Sequence, residues 1–324
     1  MTAQTASPPP AVSPPPADRA PTGPSLSPSR AADFKTCPLL FRFRTIDKLP
    51  EQPTADQARG TLVHAVLERL FDLPATARTP QAAAALVEPA WAALLAEEPA
   101  LAEIFTAAPR PLTDPAAAAA QADTLVDVPA PDEAARLANF LAGAGPLIEG
   151  YFAVEDPTRL EPAERESLVS TLVDDQLLIR GYIDRLDVSP AGDLRVVDYK
   201  TGGAPREAFE GRALFQLKFY ALVLWRTRGV VPRVLRLLYL KDAEICDYSP
   251  DAEELERFER TLVALSEAIE RAKREQDFRP KPSRLCGWCS HQAHCPEFGG
   301  TPPPFPAGEP VRIEVTPADD DRLG

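Results

Sequence analysis

One stretch of the chain, Gly181 to Gly203, constrains its fold more than any other. Two runs rich in Leu, Val, Ile and Tyr, Leu177 to Val188 and Leu194 to Tyr199, flank the turn-type residues Ser-Pro-Ala-Gly-Asp at 189–193. Apolar runs of this length on either side of such a cluster are typical of two strands joined by a tight loop. The sequence therefore predicts a β-hairpin here.

A five-residue loop fixes the register of this hairpin. Val188 then lies opposite Leu194, and continuing outward places Asp184 opposite Asp198. Opposed side chains in an antiparallel pair are roughly 5 Å apart, where like charges are destabilising. A cation bound between two carboxylates at that distance would offset their repulsion. Strand alternation places Lys200 on the same face of its strand as Asp198. The hairpin therefore predicts a metal site formed by two aspartates with a lysine beside it.

These groups have a definite chemistry. Oxygen ligands suit a hard cation such as Mg²⁺, which keeps several waters and takes one or two protein carboxylates. A bound cation lowers the pKa of its water and neutralises charge on a phosphoryl oxygen, while Lys200 would orient that water or stabilise the transition state. Attack of water on a phosphodiester is the reaction that this set favours. The alternative is a surface hairpin with solvated acids and an exposed lysine, because the tripeptide D-x-K is common.

Three short motifs of this region carry a family resemblance. The runs G-Y-I-D-R-L-D, V-V-D-Y-K-T-G and Q-L-K-F-Y, which begin at Gly181, Val196 and Gln216, resemble the PD-(D/E)XK nuclease superfamily. Within it, the chain is similar to RecB-family exonucleases, including the AddB-like nucleases that carry an iron–sulfur cluster. The resemblance implies an α/β, restriction-endonuclease-like core, in which helices flank a small mixed central sheet.

The resemblance also implies roles for individual residues. It assigns these residues to an active site that uses Mg²⁺ or Mn²⁺: the ligands Asp184 and Asp198, the catalytic Lys200, Gln216 and Tyr220 on the next helix, and His64. On sequence alone, His64 in the helix predicted from Arg59 to Phe71 is a hydrogen-bonded core residue. Its G-x-x-x-H spacing from Gly60 matches the family and places it near the metal or the scissile phosphate. Glu166, on a strand that begins near Ala163, is either a third carboxylate of the site or an ordinary exposed residue.

Three cysteines near the C-terminus form a second strong pattern, C-x2-C-x5-C, within residues 279–298: Cys286, Cys289 and Cys295. In a chain expected to work in the cytoplasm, thiols so close together indicate metal ligands rather than disulfides. A zinc site would add His291 or His294, whereas a [4Fe–4S] cluster needs four thiolates. The resemblance to AddB-like nucleases favours the cluster. Cys37 would be its remote fourth ligand and would tie the two ends of the domain together.

Composition predicts one domain between two tails. Residues 1–26 are rich in Pro, Ser and Ala without periodicity, and residues 301–324 are proline-rich with an acidic end, so both are expected to be disordered. The nuclease domain is expected at 27–300. Within it, residues 72–150 are Ala-rich with many proline breaks, which predicts a helical insertion.

The expected function is that of a metal-dependent deoxyribonuclease, an exonuclease of DNA repair or recombination. The net charge of −13 counts against tight binding of duplex DNA by this chain alone. Single strands or DNA ends are therefore the expected substrate, with a helicase or repair protein as a possible partner. No apolar run approaches the roughly 18 residues that cross a membrane, and no secretory signal is visible, so a cytoplasmic location is expected. Two alternatives remain, a non-catalytic DNA-binding or assembly module of the same fold and a zinc-stapled protein of unrelated activity.

Overall fold

The computed structural model describes residues 23–106, 133–204 and 210–306. A mixed six-stranded β-sheet lies at its centre, with strand order β1-β3-β4-β5-β6 and with β2 paired to β3 beside this path. The strands are β1 Ser25–Leu26, β2 Glu164–Val173, β3 Leu177–Val188, β4 Leu194–Lys200, β5 Val234–Tyr239 and β6 Glu244–Tyr248. The pairs β1–β3 and β4–β5 are parallel and the other pairs are antiparallel.

Helices surround this sheet. They are α1 Pro28–Thr36, α2 Pro38–Phe41, α3 Ala55–Leu70, α4 Pro80–Ala85, α5 Val87–Glu97, α6 Glu103–Thr106, α7 Glu133–Ala142, α8 Gly145–Val154, α9 Glu210–Arg228 and α10 Ala252–Glu275. The side chains of Ser27, Thr54 and Asp251 cap the N-termini of α1, α3 and α10 by accepting backbone N–H groups that would otherwise lack a partner. The helix predicted from Arg59 to Phe71 is confirmed as α3, which begins four residues earlier, at Ala55.

The predicted hairpin is confirmed as β3 and β4. Val188 pairs with Leu194, as a five-residue loop requires, and the backbone ladder continues to the pair Arg185–Val197. One rung further lies the position at which the sequence places Asp184 opposite Asp198.

Both faces of the sheet are buried at β4 and β5, which explains why these two strands read as nearly continuous apolar runs. Val196 and Leu237 belong to the core formed with α1, α9 and α10. Val197 and Leu238, the next residue of each strand, belong to the core formed with α3, α5 and α8. The C-terminal end of β4 therefore lies between two helical layers.

The ordered domain extends beyond both predicted boundaries. Leu26 is 2% exposed in β1, so the described fold begins before residue 27. At the other end, the Arg42 guanidinium donates to the carbonyl of Pro303, and the Phe305 ring stacks on Phe278 at 6.0 Å between centroids. These contacts lie just outside the predicted domain bounds of 27 and 300, and the division into one domain and two tails stays a prediction. The remaining tail positions, 1–22 and 307–324, lie outside the described residues.

The region 72–150 is helical where the structure describes it, and residues 107–132 lie outside that part. Its first part contains the helices α4 and α5, with Pro89 in the first turn of α5, where no N–H is needed. The segment Glu133–Val154 is long and apolar enough to cross a membrane, although no such run was expected from the sequence. It forms two consecutive helices, α7 and α8, and the side chains of Ile148 and Tyr151 are buried in the core.

Candidate active site

His64 of α3 lies at the end of β4, with its two ring nitrogens in different surroundings. Its Nε2 is 2.9 Å from the backbone oxygen of Tyr199. Because a carbonyl only accepts hydrogen bonds, Nε2 carries the proton. Nδ1 lies 3.5 Å from Asp184 Oδ2 and 3.7 Å from Glu166 Oε1. A metal-binding histidine characteristically donates its second nitrogen to a backbone carbonyl in this way.

Glu166 completes a cluster with these two residues. One ligand atom each from His64, Glu166 and Asp184 lies within 4.8 Å of the others. Glu166 has a left-handed φ of 42°, which is rare for a residue with a side chain and costs about 1–3 kcal/mol. Strain of this kind collects at functional sites. Of the two interpretations of Glu166 left open by the sequence, the geometry favours the third carboxylate.

Asp184 and Asp198 meet at the rung where the β3–β4 ladder ends. The Tyr199 N–H donates to Asp184 Oδ2 at 2.8 Å, so a side chain takes the place of a strand carbonyl. Asp198 is 2% exposed, and its Oδ2 lies 2.8 Å from Lys200 Nζ. At this distance the ammonium neutralises the buried carboxylate and holds it as a charge-assisted pair.

Lys200 is held from a second side by α9. Its Nζ donates to Gln216 Oε1 at 2.9 Å, and Gln216 Nε2 donates to Tyr220 Oη at 3.0 Å. Tyr220 therefore fixes the amide so that its oxygen faces the lysine. The shared helical face predicted for Gln216 and Tyr220 is present, and both side chains are connected to Lys200.

Burial and close charges shift the pKa values of the site. Burial alone lowers the pKa of His64, but the carboxylates of Asp184 and Glu166 outweigh it and raise this pKa to about 9. Burial raises the pKa of Asp198 to about 6, although the Lys200 ammonium acts in the opposite direction. Burial also raises the pKa of Asp184, against the charge of His64. The two aspartates outweigh burial at Lys200 and raise its pKa, so this side chain is a cation at neutral pH.

The donor set fits a divalent cation. Two carboxylates and one imidazole nitrogen converge, and the second imidazole nitrogen is held by a backbone carbonyl. Within the described residues, Asp198 is paired with Lys200 beside this cluster and does not belong to it. Ligation by Asp184, Asp198 and His64 stays a prediction, and the geometry adds Glu166 to the set.

Sequence reasoning missed a buried network behind the site. The Arg185 side chain is fully buried and donates to Glu155, Asp187 and the hydroxyl of Tyr199, at 2.7–3.2 Å. The apolar context of Arg185 in β3 was the available signal, because a charged residue is almost never buried without partners. Its partner Glu155 follows α8, and no local pattern in the sequence connects the two.

The four cysteines of the predicted cluster line one cavity: Cys37, Cys286, Cys289 and Cys295. All four are free thiols and half-buried. Backbone N–H groups of Lys281 and Ser283 donate to the sulfurs of Cys37 and Cys286, at 3.4 and 3.3 Å. The two candidate zinc ligands, His291 and His294, do not line this cavity. His291 Nε2 instead lies 2.6 Å from Glu51 Oε1.

The fold and the acidic site together define a restriction-endonuclease-like protein with a place for a divalent metal. The sequence model of the PD-(D/E)XK nuclease superfamily matches residues 25–296, and the chain belongs to this superfamily. The fold class and the superfamily predicted from the sequence are thereby confirmed. The narrower assignment to RecB-family, AddB-like exonucleases stays a prediction.

Two solved structures are similar to the chain. A candidate exonuclease from Eubacterium rectale has 9% sequence identity and a TM-score of 0.45, with 82% of this chain and 87% of that chain covered. The protein SSO0001 has 21% identity and a TM-score of 0.30, with 41% of this chain covered. The chain spans 60% of the length of SSO0001. A search of the curated proteins gave no match.

Proposed function

We propose that this protein is a metal-dependent deoxyribonuclease. The observation that carries the proposal is the cluster of His64, Glu166 and Asp184 beside the buried Asp198–Lys200 pair. The cluster offers the donors of a divalent site, and the pair offers a fixed cation next to it. Mg²⁺ or Mn²⁺ is the proposed ion, because carboxylates and water suit both, and an imidazole nitrogen favours Mn²⁺ of the two.

The roles of the protein groups follow from their contacts. A divalent ion, when bound, would activate a water and neutralise charge on the phosphate. Lys200 is a cation held by Asp198 and Gln216, so it stabilises negative charge on the phosphoryl oxygens rather than acting as a base. Tyr220 holds the Gln216 amide and, through it, the position of the ammonium.

An assay on end-labelled DNA tests this function. Wild type with Mg²⁺ or Mn²⁺ should cleave DNA, and Asp198→Ala and Lys200→Ala should each reduce kcat by about 10²-fold or more. Lys273→Ala, on the outer surface of α10, is the matched control and should cleave like wild type. If wild type and all three variants are equally inactive on single- and double-stranded DNA, the protein is the non-catalytic module of the same fold.

The finer activity that we propose is exonucleolytic, on single strands or DNA ends, in repair or recombination. The net charge of −13 supports single strands over duplex, because duplex binding rests on many phosphate contacts. A helicase or repair protein is the proposed partner and the cytoplasm the proposed location. Mononucleotide products from one labelled end would support exonucleolytic action, whereas internal fragments would contradict it.

We further propose that the cysteine cavity holds a [4Fe–4S] cluster. The convergence of four thiols from two distant parts of the chain supports it, because such a cluster takes four thiolates. The N–H groups directed at two of the sulfurs support it too, since hydrogen bonds to sulfur tune these clusters. The position of His291 beside Glu51 counts against a site with three cysteines and this histidine.

Metal analysis of anaerobically purified protein tests the cluster. A brown protein with about four irons and four acid-labile sulfides per chain is the expected result. A colourless protein with one zinc would instead show a Cys₄ zinc site and contradict the cluster. Cys246→Ser is the control, because this half-buried thiol does not line the cavity.

A further inference from the structure

One face of the β2–β3 hairpin is exposed although it carries large apolar side chains. Its opposed pairs are Leu168–Tyr182, Ser170–Arg180 and Leu172–Leu178. Leu168 is 43% exposed and Leu172 is 50% exposed, and their partners on β3 are half-buried. The next residues of both strands point to the opposite side, where Ile179 and Val173 are buried in the core formed with α9. We call these three pairs the hairpin face.

The hairpin face is continuous with the metal site. Glu166 and Asp184 precede and follow the pair Leu168–Tyr182 by two residues each, so they lie at the next rung along the two strands, where the left-handed backbone of Glu166 interrupts the regular alternation. His64 of α3 covers that rung. At about 3.3 Å per residue, the face extends roughly 20 Å from Asp184 to Leu178.

We propose that the hairpin face binds the nucleic acid single strand whose end lies in the active site. The inference rests on the proposed nuclease function and adds the path of the substrate to it. Bases would pack on Leu168 and Tyr182, and the Arg180 guanidinium would meet a phosphate. The far end of the path is marked by Asp174 and Asp175, two exposed carboxylates in the β2–β3 turn that repel phosphates.

The chemistry of the face selects a single strand over a duplex. Apolar and aromatic surfaces bind bases only when the bases are unpaired, and each stack contributes about 1–3 kcal/mol. Duplex binding depends instead on several cations that meet phosphates. The face offers one cation, Arg180, for which the described part of the chain shows no ion-pair partner. At a stacked rise of about 3.4 Å per nucleotide, 20 Å accommodates about six nucleotides.

Binding is measured with the full-length chain carrying Lys200→Met, so that the oligonucleotide stays intact. The probes are a fluorescein-labelled oligothymidylate of about twelve nucleotides and a duplex of the same length, read by anisotropy. Tyr182→Ala should raise Kd for the single strand about tenfold, and Tyr182→Phe should not. Arg180→Gln should lower the slope of log K against log salt by about 0.7. The control is Ile245→Thr, an equally exposed residue (44%) on β6, which should leave Kd unchanged.

Substrate length gives a second readout on the enzyme with Lys200 intact. Leu168 lies about two nucleotides from the site, so Leu168→Thr should raise KM for a trinucleotide and for a twelve-nucleotide substrate alike. Leu172 lies about six nucleotides from the site, so Leu172→Thr should raise KM only for the longer substrate. In both variants kcat should stay within about twofold of wild type, because neither residue touches the reacting groups.

Three results would overturn the inference. The first is that Leu168→Thr, Tyr182→Ala and Leu172→Thr each bind the single strand with the same Kd as the control variant Ile245→Thr. The second is a change in Tm without a change in Kd, which would show that the chain itself or a second copy covers the face. The third is that the substitutions on the hairpin face raise Kd for the single strand and for the duplex by the same factor. Absence of cleavage by wild type would instead reject the nuclease proposal, and the anisotropy series in Lys200→Met would still decide whether the face binds single strands.

Discussion

Tyr199 connects the groups of the candidate active site at the scale of single residues. Its N–H donates to Asp184, its carbonyl accepts from His64, and its ring packs edge-on against the imidazole at 5.7 Å. Its hydroxyl accepts from Arg185 at 2.8 Å. The residue between the aspartate and the lysine of D-x-K therefore positions two proposed metal ligands through its backbone, and the buried arginine holds it in place.

Removing the arginine should be far more damaging than removing the tyrosine hydroxyl. Arg185→Met leaves Glu155 and Asp187 without their buried cation and should lower the free energy of unfolding by about 3–5 kcal/mol. Tyr199→Phe removes one hydrogen bond and should lower it by about 1 kcal/mol. Urea denaturation of both variants measures the difference. Equal effects would show that the carboxylates find other partners.

Proton release should report whether His64 binds the ion. Without a bound ion, the His64 pKa of about 9 leaves the imidazole protonated at pH 8, whereas Asp198, with a pKa of about 6, is already ionised. Coordination by Nδ1 requires the neutral ring, so Mn²⁺ binding should release about one proton at pH 8 and tighten as the pH rises towards 9. Calorimetry in buffers of different ionisation enthalpy counts that proton.

His64→Asn supplies the comparison for this experiment. This variant should bind Mn²⁺ more weakly and release much less than one proton. Any proton release that remains in this variant comes from Asp184, whose pKa is also raised. An unchanged release in His64→Asn would show that the histidine is a core residue, as its sequence context alone suggested.

The parts of the site that the sequence could predict are those set by local periodicity. Alternation along β3 and β4 and a loop of defined length were enough to bring Asp184 and Asp198 together and to place Lys200 beside Asp198. The Arg185–Glu155 pair could not be predicted, because it joins positions 30 residues apart through tertiary packing. Glu166 stayed ambiguous because its left-handed backbone departs from the regular strand that the alternation assumed.

At the scale of elements, the site depends on how closely helices approach the sheet. Helix α8 packs against the end of β5 at Gly150, where an added Cβ would lie 1.8 Å from the backbone oxygen of Leu240. The N–H of Leu240 in turn donates to the carbonyl of Lys200 at 2.8 Å. The sequence indicated α8 only as part of a helical insertion, and contact between backbones leaves no periodic signal.

Gly150→Ala should therefore destabilise the fold, and Gly145→Ala should not. The first substitution forces backbone apart and should lower the free energy of unfolding by about 3 kcal/mol or more. The second lies in the same helix, with nothing within 4 Å of its added Cβ, and should be neutral or stabilising by up to about 1 kcal/mol. Thermal unfolding of the two variants measures this, and similar Tm values would show that α8 can shift freely on the sheet.

At the scale of the whole molecule, the two ends of the domain are joined by more than the proposed cluster. The ring of Phe278 stacks between Phe41 and Phe305, at 6.4 and 6.0 Å between centroids. The Arg42 guanidinium also binds the carbonyl of Pro303. The resemblance to AddB-like nucleases implied that these ends meet at Cys37, but the aromatic stack was not predicted because it uses single apolar residues far apart in the chain. The ends should therefore stay associated, with lower stability, when the cluster is lost.

Cys37→Ser tests this division between cluster and packing. Cys37 and Cys286 enclose almost the whole domain, so removing the remote ligand should release the iron and abolish the constraint on a very long loop. The loss should be several kcal/mol, on the order of 10 °C in Tm, while the stack keeps the domain folded. Limited proteolysis should then cut first within residues 279–300, whereas Cys246→Ser keeps both its iron and its protection. If Cys37→Ser retains full iron content and wild-type Tm, the cluster is local to the C-terminal segment, and the aromatic stack alone joins the two ends.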